Sequence, residues 1–485
     1  MSVYFFDLRF LAMVFLGAVA GLFVGAIPGL SVSMATALLV SITYTWETSD
    51  ALAMVMGVYM VGVYSGAISA ILVNIPGAPS SVVTTLDGYP MAKRGEARRA
   101  LVFAAFYSFV GGVLGLLALR LMAGPISEVA LSFAPMDYFL LAVLGLTAVG
   151  SLSAGSMAKA LVSAGLGLLT AMVGMDSVMG TPRLTFGLRE LQGGVNVVPA
   201  LVGLFGFSEI LWVLSQGKGE TLPTEMRKER VRLGELLRHF GSSLFYGVVG
   251  TVVGALPGAG GPVASFLAYS EARRWTKHPS HPFGEGAEEG LVASETANNA
   301  CVGGALIPLL TLAVPGDAVT AILLSVFHVH GLRPGPLFLR ETPQYFDAII
   351  AAGFLACGFL LLFGLTVAPR LSRILTLPKE VLLPVVAVLC VIGSFACNNR
   401  LFDVWLMLFF GLLGFWMRRR GYPLAPMTLA MVLGGMMDSN FRRAISLAAS
   451  EEHWLPALFG RPITLLLLAV TGLLLFSAFW KRKKV

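Results

Sequence analysis

The 485-residue sequence has little charge, since Asp, Glu, Lys and Arg together make up 13% of it, against the ~25% typical of soluble globular proteins. Apolar residues make up 56%. A water-soluble fold could not bury so large an apolar fraction, because part of every folded chain must face the solvent. The composition therefore excludes a soluble protein and predicts a polytopic membrane protein embedded in a lipid bilayer.

Cysteine and histidine are scarce, with four and six residues. Cys301, Cys357, Cys390 and Cys397 lie in apolar segments without a CxxC or Cys/His pattern, which argues against a disulfide or zinc framework and indicates buried thiols. The histidine pairs lack a third ligand at metal spacing, and no nucleophile and base constellation is evident. We therefore predict neither an enzyme nor a bound cofactor, with a membrane-embedded enzyme as the weak alternative.

The net charge is +7, yet it does not indicate a nucleic-acid partner. The Lys and Arg residues cluster at the ends of apolar segments, where membrane topology places them. We predict no nucleic-acid binding.

Stretches without charge divide the chain, because one membrane crossing needs ~20 apolar residues. Residues 10–46 and 51–86 are each too long for a single helix, and each is interrupted by Pro-Gly. We predict a first repeat half at 1–215, a basic cytoplasmic linker at 216–239, a second repeat half at 240–400 and C-terminal spans at 401–485. The expected fold is all-α, with about 11-12 transmembrane spans plus broken or re-entrant helices.

The Pro-Gly motifs of the first half recur in the second, at offsets of 229 and 239 residues. The matching pairs are Gly21-x3-Gly25-Ala-Ile-Pro28-Gly29 with Gly250-x3-Gly254-Ala-Leu-Pro257-Gly258, and Asn74-Ile-Pro76-Gly77 with Ala313-Val-Pro315-Gly316. The basic loops that follow the second motif of each half fall on opposite sides of the membrane, although Arg333 and Arg340 in the outer loop count against this. The pattern predicts two inverted-topology repeats, which are the signature of many transporters.

Pro-Gly inside an apolar span frees backbone groups that hydrocarbon cannot satisfy, so such breaks occur where protein or a water-filled cavity supplies partners. A half-helix that begins after a break points its N–H groups and positive dipole end at the cavity, which suits a carboxylate. Freed carbonyls suit a small cation. Because the breaks recur, we favour binding over simple kinks. The predicted substrate-binding residues are Pro28, Gly29, Asn74, Pro76, Gly77, Ala78, Pro79, Ser80, Ser81, Pro257, Gly258, Gly260, Gly261, Asn298, Asn299, Pro315 and Gly316.

Three polar residues are candidate ligands for a coupling cation, sodium being the metal ion they suit. Asp317 follows a Pro-Gly break. A structural role as an acid at a helix start is as well supported as a role as a cation ligand. Asn298 and Asn299 offer amide oxygens to a cation or N–H groups to a carboxylate. An interhelical hydrogen bond is an alternative of equal weight. Both alternatives stay open at this point.

Four glutamates surround these asparagines or precede them: Glu285, Glu288, Glu289 and Glu295. Their spacing around Gly residues favours a solvated charged loop over the cytoplasmic end of a gate. The neighbouring Gly258-Ala-Gly260-Gly261 lacks the Lys-Ser/Thr that a nucleotide loop requires.

At these residues the sequence resembles the TctA family, the large membrane subunit of the tripartite tricarboxylate transporters. The resemblance covers the whole chain, and its motifs are long and therefore specific. The segments that carry it are residues 25–30, 70–81, 87–97, 254–261, 283–286, 295–300, 307–316 and 331–336. The chain departs from the family pattern at Asp317, where we expect serine, and at Ser294, where proline is common.

The resemblance implies a multi-pass secondary transporter of the bacterial inner membrane that imports tri- or dicarboxylates such as citrate in symport with sodium or protons. It also implies two protein partners, a small membrane subunit and a periplasmic solute-binding protein. We expect alternating access of the elevator type. A stand-alone ion-coupled carrier for another substrate and a non-transporting membrane scaffold are the alternatives.

Overall fold

The computed structural model describes residues 1–27, 30–152, 157–176, 180–215, 231–368, 370, 379–396, 398–449 and 458–480. Helices dominate this part of the chain. In the first half they are α1 (Ser2–Phe6), α2 (Leu8–Ala26), α3 (Val32–Ile42), α4 (Thr48–Val73), α5 (Val82–Met91), α6 (Ala97–Ala130), α7 (Pro135–Leu152), α8 (Met157–Ala171), α9 (Val197–Leu201) and α10 (Ser208–Ser215).

The rest of the chain continues the helical pattern. Its helices are α11 (Leu233–Leu237), α12 (Phe240–Ala255), α13 (Gly260–Trp275), α14 (Glu288–Leu312), α15 (Ala318–Val329), α16 (Phe338–Glu341), α17 (Pro343–Thr366), α18 (Lys379–Ala396), α19 (Leu401–Arg419), α20 (Leu424–Ala448) and α21 (Pro462–Trp480). Short 3₁₀ turns lie at Pro79–Ser81 and Arg189–Leu191, and π-helical segments at Ala92–Glu96 and Val202–Phe207. The strands β1 (Gly174–Met175) and β2 (Pro182–Arg183) pair antiparallel.

Six helical segments in the described part of the chain are long and apolar enough to cross a membrane, and shorter apolar helices accompany them. The long segments are Leu8–Ala26, Thr48–Val73, Pro79–Ala130, Val197–Ser215, Pro343–Thr366 and Leu401–Arg419. This confirms the all-α polytopic membrane fold. The count of about 11-12 spans stays a prediction. The apolar stretch at residues 100–119 is part of the longer α6, which continues through Pro125.

Glycines bring the first two long helices of each half into close contact. In the first half, Gly21 and Gly25 of α2 pack on the carbonyl oxygens of Val58 and Gly62 of α4. In the second half, Gly250 and Gly254 of α12 pack on the carbonyl oxygens of Ala297 and Cys301 of α14. Both sets obey the sequence offsets of 229 and 239 residues, so the repeat extends from the motifs to the helix packing. Small residues are what allow backbones in a membrane to approach this closely.

The two halves run in opposite directions. Along α6, Gly111 and Gly115 pack on Thr296 and Ala300 of α14, so these two helices are parallel. Helices α6 and α4 are antiparallel, because later residues of α6 lie beside earlier residues of α4. Gly112 of α6 lies beside Met60 of α4, whereas Ala105 of α6 and Tyr64 of α4 both lie beside Gly364 of α17. The matching helices α4 and α14 are therefore antiparallel, as an inverted repeat requires.

In each half a long helix ends, and the chain then turns back along that helix before the next helix begins. The α4 helix ends at Asn74, and α14 ends at Ala313; both residues adopt the left-handed conformation, with φ of 57° and 56°. The chain then runs backwards until Gly77 packs on Gly66 and Gly316 packs on Ala305. Here α5 and α15 begin. A half-helix therefore follows the turn of each repeat, packed on the long helix that precedes it.

One face of the molecule gathers three charged segments. Arg94 donates to the carbonyl oxygens of Glu285 and Gly286, while Arg99 pairs with Glu235 and with Glu288, the latter at 2.6 Å. The Arg99 guanidinium, as a hydrogen-bond donor, holds the pKa of Glu235 below its usual range. The basic loop before α6, the end of the linker and the loop before α14 therefore lie on the same side. Linker residues 216–230 lie outside the described residues.

The expectation of a solvated loop of four glutamates is wrong for three of them. Only Glu285 is exposed. Glu288 is half-buried against Arg99, and Glu289 accepts hydrogen bonds from the main-chain and side-chain groups of Ser280. Glu295 is fully buried within α14, because the helix begins at Glu288, earlier than the charges suggested. The thiols of Cys301, Cys357 and Cys390 are buried and free, as predicted, whereas Cys397 lies outside the described residues.

Candidate functional site

A cavity of about 610 Å³ lies where the broken helices of both halves meet. Its wall includes the first residues of four helices: Ser31 and Val32 of α3, Ser80 before α5, Gly260 of α13, and Asp317 before α15. Each of these helices begins with N–H groups that have no intrahelical partner and with the positive end of its dipole. The start of α20, at Leu424, also lines the cavity, and the start of α15 is capped by the Asp317 carboxylate. The four helix starts without an acidic cap make a site suited to an anion with more than one carboxylate.

The predicted site residues divide into those that line the cavity and those that do not. The lining residues are Ala78, Pro79, Ser80, Gly258, Gly260, Gly261, Asn298 and Asp317. The described residues that do not line the cavity are Asn74, Pro76, Gly77, Ser81, Pro257, Asn299, Pro315 and Gly316, of which Asn74 is exposed. Pro28 and Gly29 lie outside the described residues.

The first tip, which we define as residues 74–81, offers hydroxyl groups and a helix start but no charge. Ser80 lines the cavity, and Ser81 is fully buried with its Oγ lacking a hydrogen-bond partner among the described residues. A methyl group added at Gly77 would lie 1.9 Å from the carbonyl oxygen of Gly25, so only glycine fits at this position. The tip is therefore fixed against α2 while Ser80 lines the site.

The second tip, residues 313–320, carries the acid Asp317. Its carboxylate caps α15, accepting from Thr320 N at 2.8 Å and Thr320 Oγ1 at 2.7 Å, and it also accepts from the Tyr59 hydroxyl at 2.6 Å. The structural alternative for Asp317 is thus realised, but the same side chain lines the cavity. The Gly258 N–H donates to the Gly316 carbonyl at 2.7 Å, which ties this tip to the α12–α13 break.

Asn298 and Asn299 differ in their surroundings. Asn298 lines the cavity, and neither polar atom of its buried amide has a hydrogen-bond partner among the described residues. Asn299 faces away, donating through Nδ2 to the Glu295 carbonyl of its own helix at 3.1 Å. The interhelical hydrogen bond that we considered for the pair is not found in the described part of the chain. Burying an amide without a hydrogen-bond partner is energetically unfavourable, so the Asn298 side chain is a candidate to bind a ligand.

The two repeats reach across the cavity to each other. Tyr59 of α4 contacts Asp317 of the second tip, while Asn298 of α14 and Ser80 of the first tip both lie against Gly261. Tyr59 and Asn298 are separated by 239 residues, the repeat offset. The sequence analysis missed Tyr59, although the offset from Asn298 would have identified it.

A third wall comes from helices outside the broken pairs. Arg418, in the last turn of α19, lines the cavity together with Tyr422 and Trp212. Its guanidinium pairs with Glu209, a buried residue of α10. Among the described lining residues Arg418 is the one with a cationic side chain. The sequence analysis treated this arginine only as a topology signal.

Comparisons with known proteins agree with the sequence resemblance. A family model, that of the tripartite tricarboxylate transporter TctA family, matches residues 11–429. The chain is 37% identical over 457 residues, 94% of its length and 90% of the relative's, to an Agrobacterium vitis protein described as an uncharacterized 52.8 kDa protein in the TAR-I ttuC' 3' region. A second Agrobacterium vitis protein, described as an uncharacterized protein in the TAR-II ttuC' 3' region, is 35% identical over 202 residues, which are 42% of this chain and 83% of that protein. No solved structure matches the chain.

Proposed function

Since the chain belongs to the tripartite tricarboxylate transporter TctA family, we propose that it is the large membrane subunit of a binding-protein-dependent secondary transporter that imports tri- or dicarboxylates. The observation that carries the proposal is the cavity with four helix N-termini in its wall, because such ends attract carboxylates. Its volume of about 610 Å³ lies within the range of small-molecule sites.

The substrate is held between the two tips. One carboxylate lies at the start of α5 beside Ser80, and the amide of Asn298, which has no partner among the described residues, donates to the same group. The start of α13 at Gly260 takes a second carboxylate. When the substrate enters, the Arg418 guanidinium leaves its ion pair with Glu209 and pairs with the substrate.

The coupling cation lies at the second tip. Asp317 supplies a carboxylate and Asn298 an amide oxygen, which are ligands that a sodium ion accepts. Asn299 joins them if α14 rotates slightly, since its Oδ1 is free of hydrogen bonds to described residues. A cation beside Asp317 also offsets the repulsion between this acid and an anionic substrate.

Transport proceeds by alternating access of the elevator type. The broken pairs α2–α5 and α12–α15 form the mobile unit, which is rigid because α2 packs on α4, and α12 on α14, through glycine–backbone contacts. Helices α7, α20 and α21 share a hydrophobic cluster that includes Leu140, Leu433 and Leu467 and also Val314 of the second tip, and they serve as part of the scaffold.

The transporter works in the bacterial inner membrane with a small membrane subunit and with a periplasmic solute-binding protein that delivers the substrate. Membership of the TctA family supports these partners.

Uptake of labelled di- and tricarboxylates into proteoliposomes tests this proposal. We expect uptake that requires the small subunit, the binding protein and a sodium or proton gradient. Uptake without the binding protein would favour a stand-alone carrier. No uptake under any gradient would favour a non-transporting scaffold.

A further inference from the structure

In the second repeat, the Asp317 carboxylate is held by donors from two helices. Thr320, in the first turn of α15, donates its main-chain N–H at 2.8 Å and its hydroxyl at 2.7 Å. Tyr59, on α4 of the first repeat, donates its hydroxyl at 2.6 Å. The carboxylate is thus bound by the start of its own helix and by one side chain from the opposite repeat.

The repeat offset of 239 residues identifies the matching groups at the first tip. Each of the three residues in this arrangement has a counterpart: Ala78 for Asp317, Ser81 for Thr320 and Asn298 for Tyr59. The donors are the same in kind, a hydroxyl at a helix start and a side chain from the opposite repeat. The acceptor differs, because the alanine side chain is a methyl group and carries no carboxylate.

Ala78 has the same place in the backbone as Asp317. Both are extended residues directly before a helical segment, with φ of −138° and −151°. Asp317 caps its helix with its side chain, whereas in the described part of the chain neither the 3₁₀ turn Pro79–Ser81 nor α5 has a side-chain cap. The first tip therefore has a helix start of the same form without the acceptor that the second tip provides.

The two donors at the first tip have no hydrogen-bond partner among the described residues. These are the Ser81 hydroxyl and the Asn298 amide, and both side chains are buried. Ser81 Oγ lies close to Ala78, since a methyl group added at Gly66 would be 2.6 Å from Ser81 Oγ and 3.0 Å from Ala78 N. Buried polar groups without partners are unfavourable and uncommon. One carboxylate held beside Ala78 accounts for both.

The position beside Ala78 is accessible from the cavity. Ala78, Ser80 and Asn298 all line the cavity wall. Ser80 and Asn298 also lie together against Gly261, so the tip and α14 meet at this point. Among the described lining residues, Asp317 is the one with an acidic side chain. An anion that enters at the first tip therefore competes with no acidic side chain in the lining there.

We propose that one substrate carboxylate binds beside Ala78, in the place that the Asp317 carboxylate holds in the second repeat. It caps the helical segment of the first tip and accepts hydrogen bonds from the Ser81 hydroxyl and from Asn298 Nδ2. This inference rests on the proposed function and deepens it, because it makes Ser81 a binding residue and Ala78 a specificity-determining residue. With alanine at this position the substrate supplies the acceptor, whereas an acid would supply it from the chain.

Ala78→Asp tests the inference most directly, because it places a carboxylate of the chain in the proposed position. Citrate is the probe, and its binding to the full-length protein, reconstituted in nanodiscs with the small subunit, is measured by calorimetry. Without citrate the variant should unfold at a higher temperature than wild type, since its helix gains a cap. It should bind citrate about a hundredfold more weakly, since a charged group that accepts these hydrogen bonds is already present.

Ala78→Leu is the matched control, because leucine has nearly the shape of aspartate but offers no acceptor. It should also weaken citrate binding, but it should not raise the unfolding temperature. If Ala78→Asp binds citrate as wild type does, or is no more stable than Ala78→Leu, the inference is wrong.

Ser81→Ala removes one donor and leaves the rest of the tip unchanged. Since this hydroxyl has no partner among the described residues, stability without citrate should not fall. Citrate affinity should fall about tenfold, because a hydrogen bond to a charged group is lost. Thr85→Ala, at a hydroxyl that donates to the Val82 carbonyl of its own helix, is the control and should bind citrate as wild type does. Wild-type affinity in Ser81→Ala would overturn the inference and assign the hydroxyl to a water molecule.

Failure of this inference and failure of the proposed function give different results. If wild type binds and takes up citrate while Ala78→Asp and Ser81→Ala bind it equally well, the inference fails and the proposed function stands. If Ala78→Asp is more stable than wild type but wild type binds and transports no di- or tricarboxylate, the capping position is real, and the proposed function fails together with the inference that rests on it.

Discussion

The two tips of the cavity have the same backbone conformation but different side chains. Both follow a residue in the left-handed conformation, Asn74 or Ala313, and both carry a glycine that admits no side chain, Gly77 or Gly316. The first tip then presents serines. The second presents Asp317, at the position that matches Ala78 in the first. The frame of the site is therefore symmetric and its charge is not.

This difference explains how one cavity could hold an anion and a cation together. At the first tip no acidic residue caps the helix start, so it retains its attraction for a carboxylate. At the second tip Asp317 compensates the start of α15 and adds a negative charge toward the cavity.

The largest effect should come from removing the glycine that both tips share. A methyl group at Gly77 would lie 1.9 Å from the Gly25 carbonyl, and one at Gly316 would lie 2.4 Å from the Gly254 carbonyl. We expect Gly77→Ala or Gly316→Ala to destabilise the fold by about 1–3 kcal/mol or more, as over-packing does. Thermal unfolding in detergent measures this. Gly358→Ala in α17, with open space around the glycine, is the control, and equal stability of all variants would contradict close packing of the tips.

The next largest effect concerns the polar groups of the site. Ser80→Ala, Asn298→Ala and Asp317→Ala should each lower uptake roughly tenfold to a hundredfold while expression stays intact, since each removes a ligand contact in a buried site. Uptake assays in proteoliposomes provide the readout. Unchanged uptake in all three variants would rule out the cavity as the binding site.

Asp317→Ser separates the charge of the second tip from its capping role. Serine also caps helices, so stability should change by no more than about 1 kcal/mol. Sodium stimulation of uptake should disappear, because the carboxylate ligand is gone. Full sodium stimulation in Asp317→Ser would mean that Asp317 is a structural cap only.

A smaller effect is expected from the third wall, which neither tip supplies. Arg418→Gln should weaken the apparent affinity for a tricarboxylate by about tenfold, because a charge-assisted hydrogen bond is lost, and should weaken that for a dicarboxylate less. Concentration-dependent uptake of the two substrates measures the ratio. Arg419→Gln, at the exposed neighbour, controls for the loss of surface charge. An identical effect on both substrates would place Arg418 away from the third carboxylate.

The smallest effect should follow Tyr59→Phe. The hydroxyl donates to Asp317 at 2.6 Å, and its loss removes one hydrogen bond worth about 1 kcal/mol. We expect a several-fold change in sodium affinity with substrate affinity retained. Sodium titration of uptake checks this, with Tyr44→Phe at an exposed position as the control. A loss as complete as that in Asp317→Ser would show that Tyr59 contacts the ion or substrate itself.

The frame of the site could be predicted from the sequence because it depends on local signals. Pro76-Gly77 and Pro315-Gly316 interrupt apolar runs that are otherwise helical, and a repeated interruption identifies a repeated fold. The basic segments are membrane-topology signals in the sequence, and Arg94 and Arg99 of one such segment contact Glu285 and Glu235. Charge and helix breakers act over a few residues, so one sequence is enough to read them.

Contacts between distant segments could not be predicted in the same way. Tyr59, Arg418 and Glu295 reach their partners only because helices from different parts of the chain pack together. Glu295 was misread because charged residues near glycines usually indicate a loop, whereas α14 starts early enough to enclose it. Its hydroxyl partners are neutral and far away in sequence, so no sequence pattern predicted these contacts.

The central claim is that the cavity between the inverted repeats binds the carboxylate. The most direct measurement is an experimental structure of the reconstituted complex with a tricarboxylate added. The account predicts substrate between the two tips, with carboxylates at Ser80 and Gly260 and within hydrogen-bond distance of the Asn298 amide. Substrate bound elsewhere, with this cavity empty in a substrate-saturated complex, would contradict it.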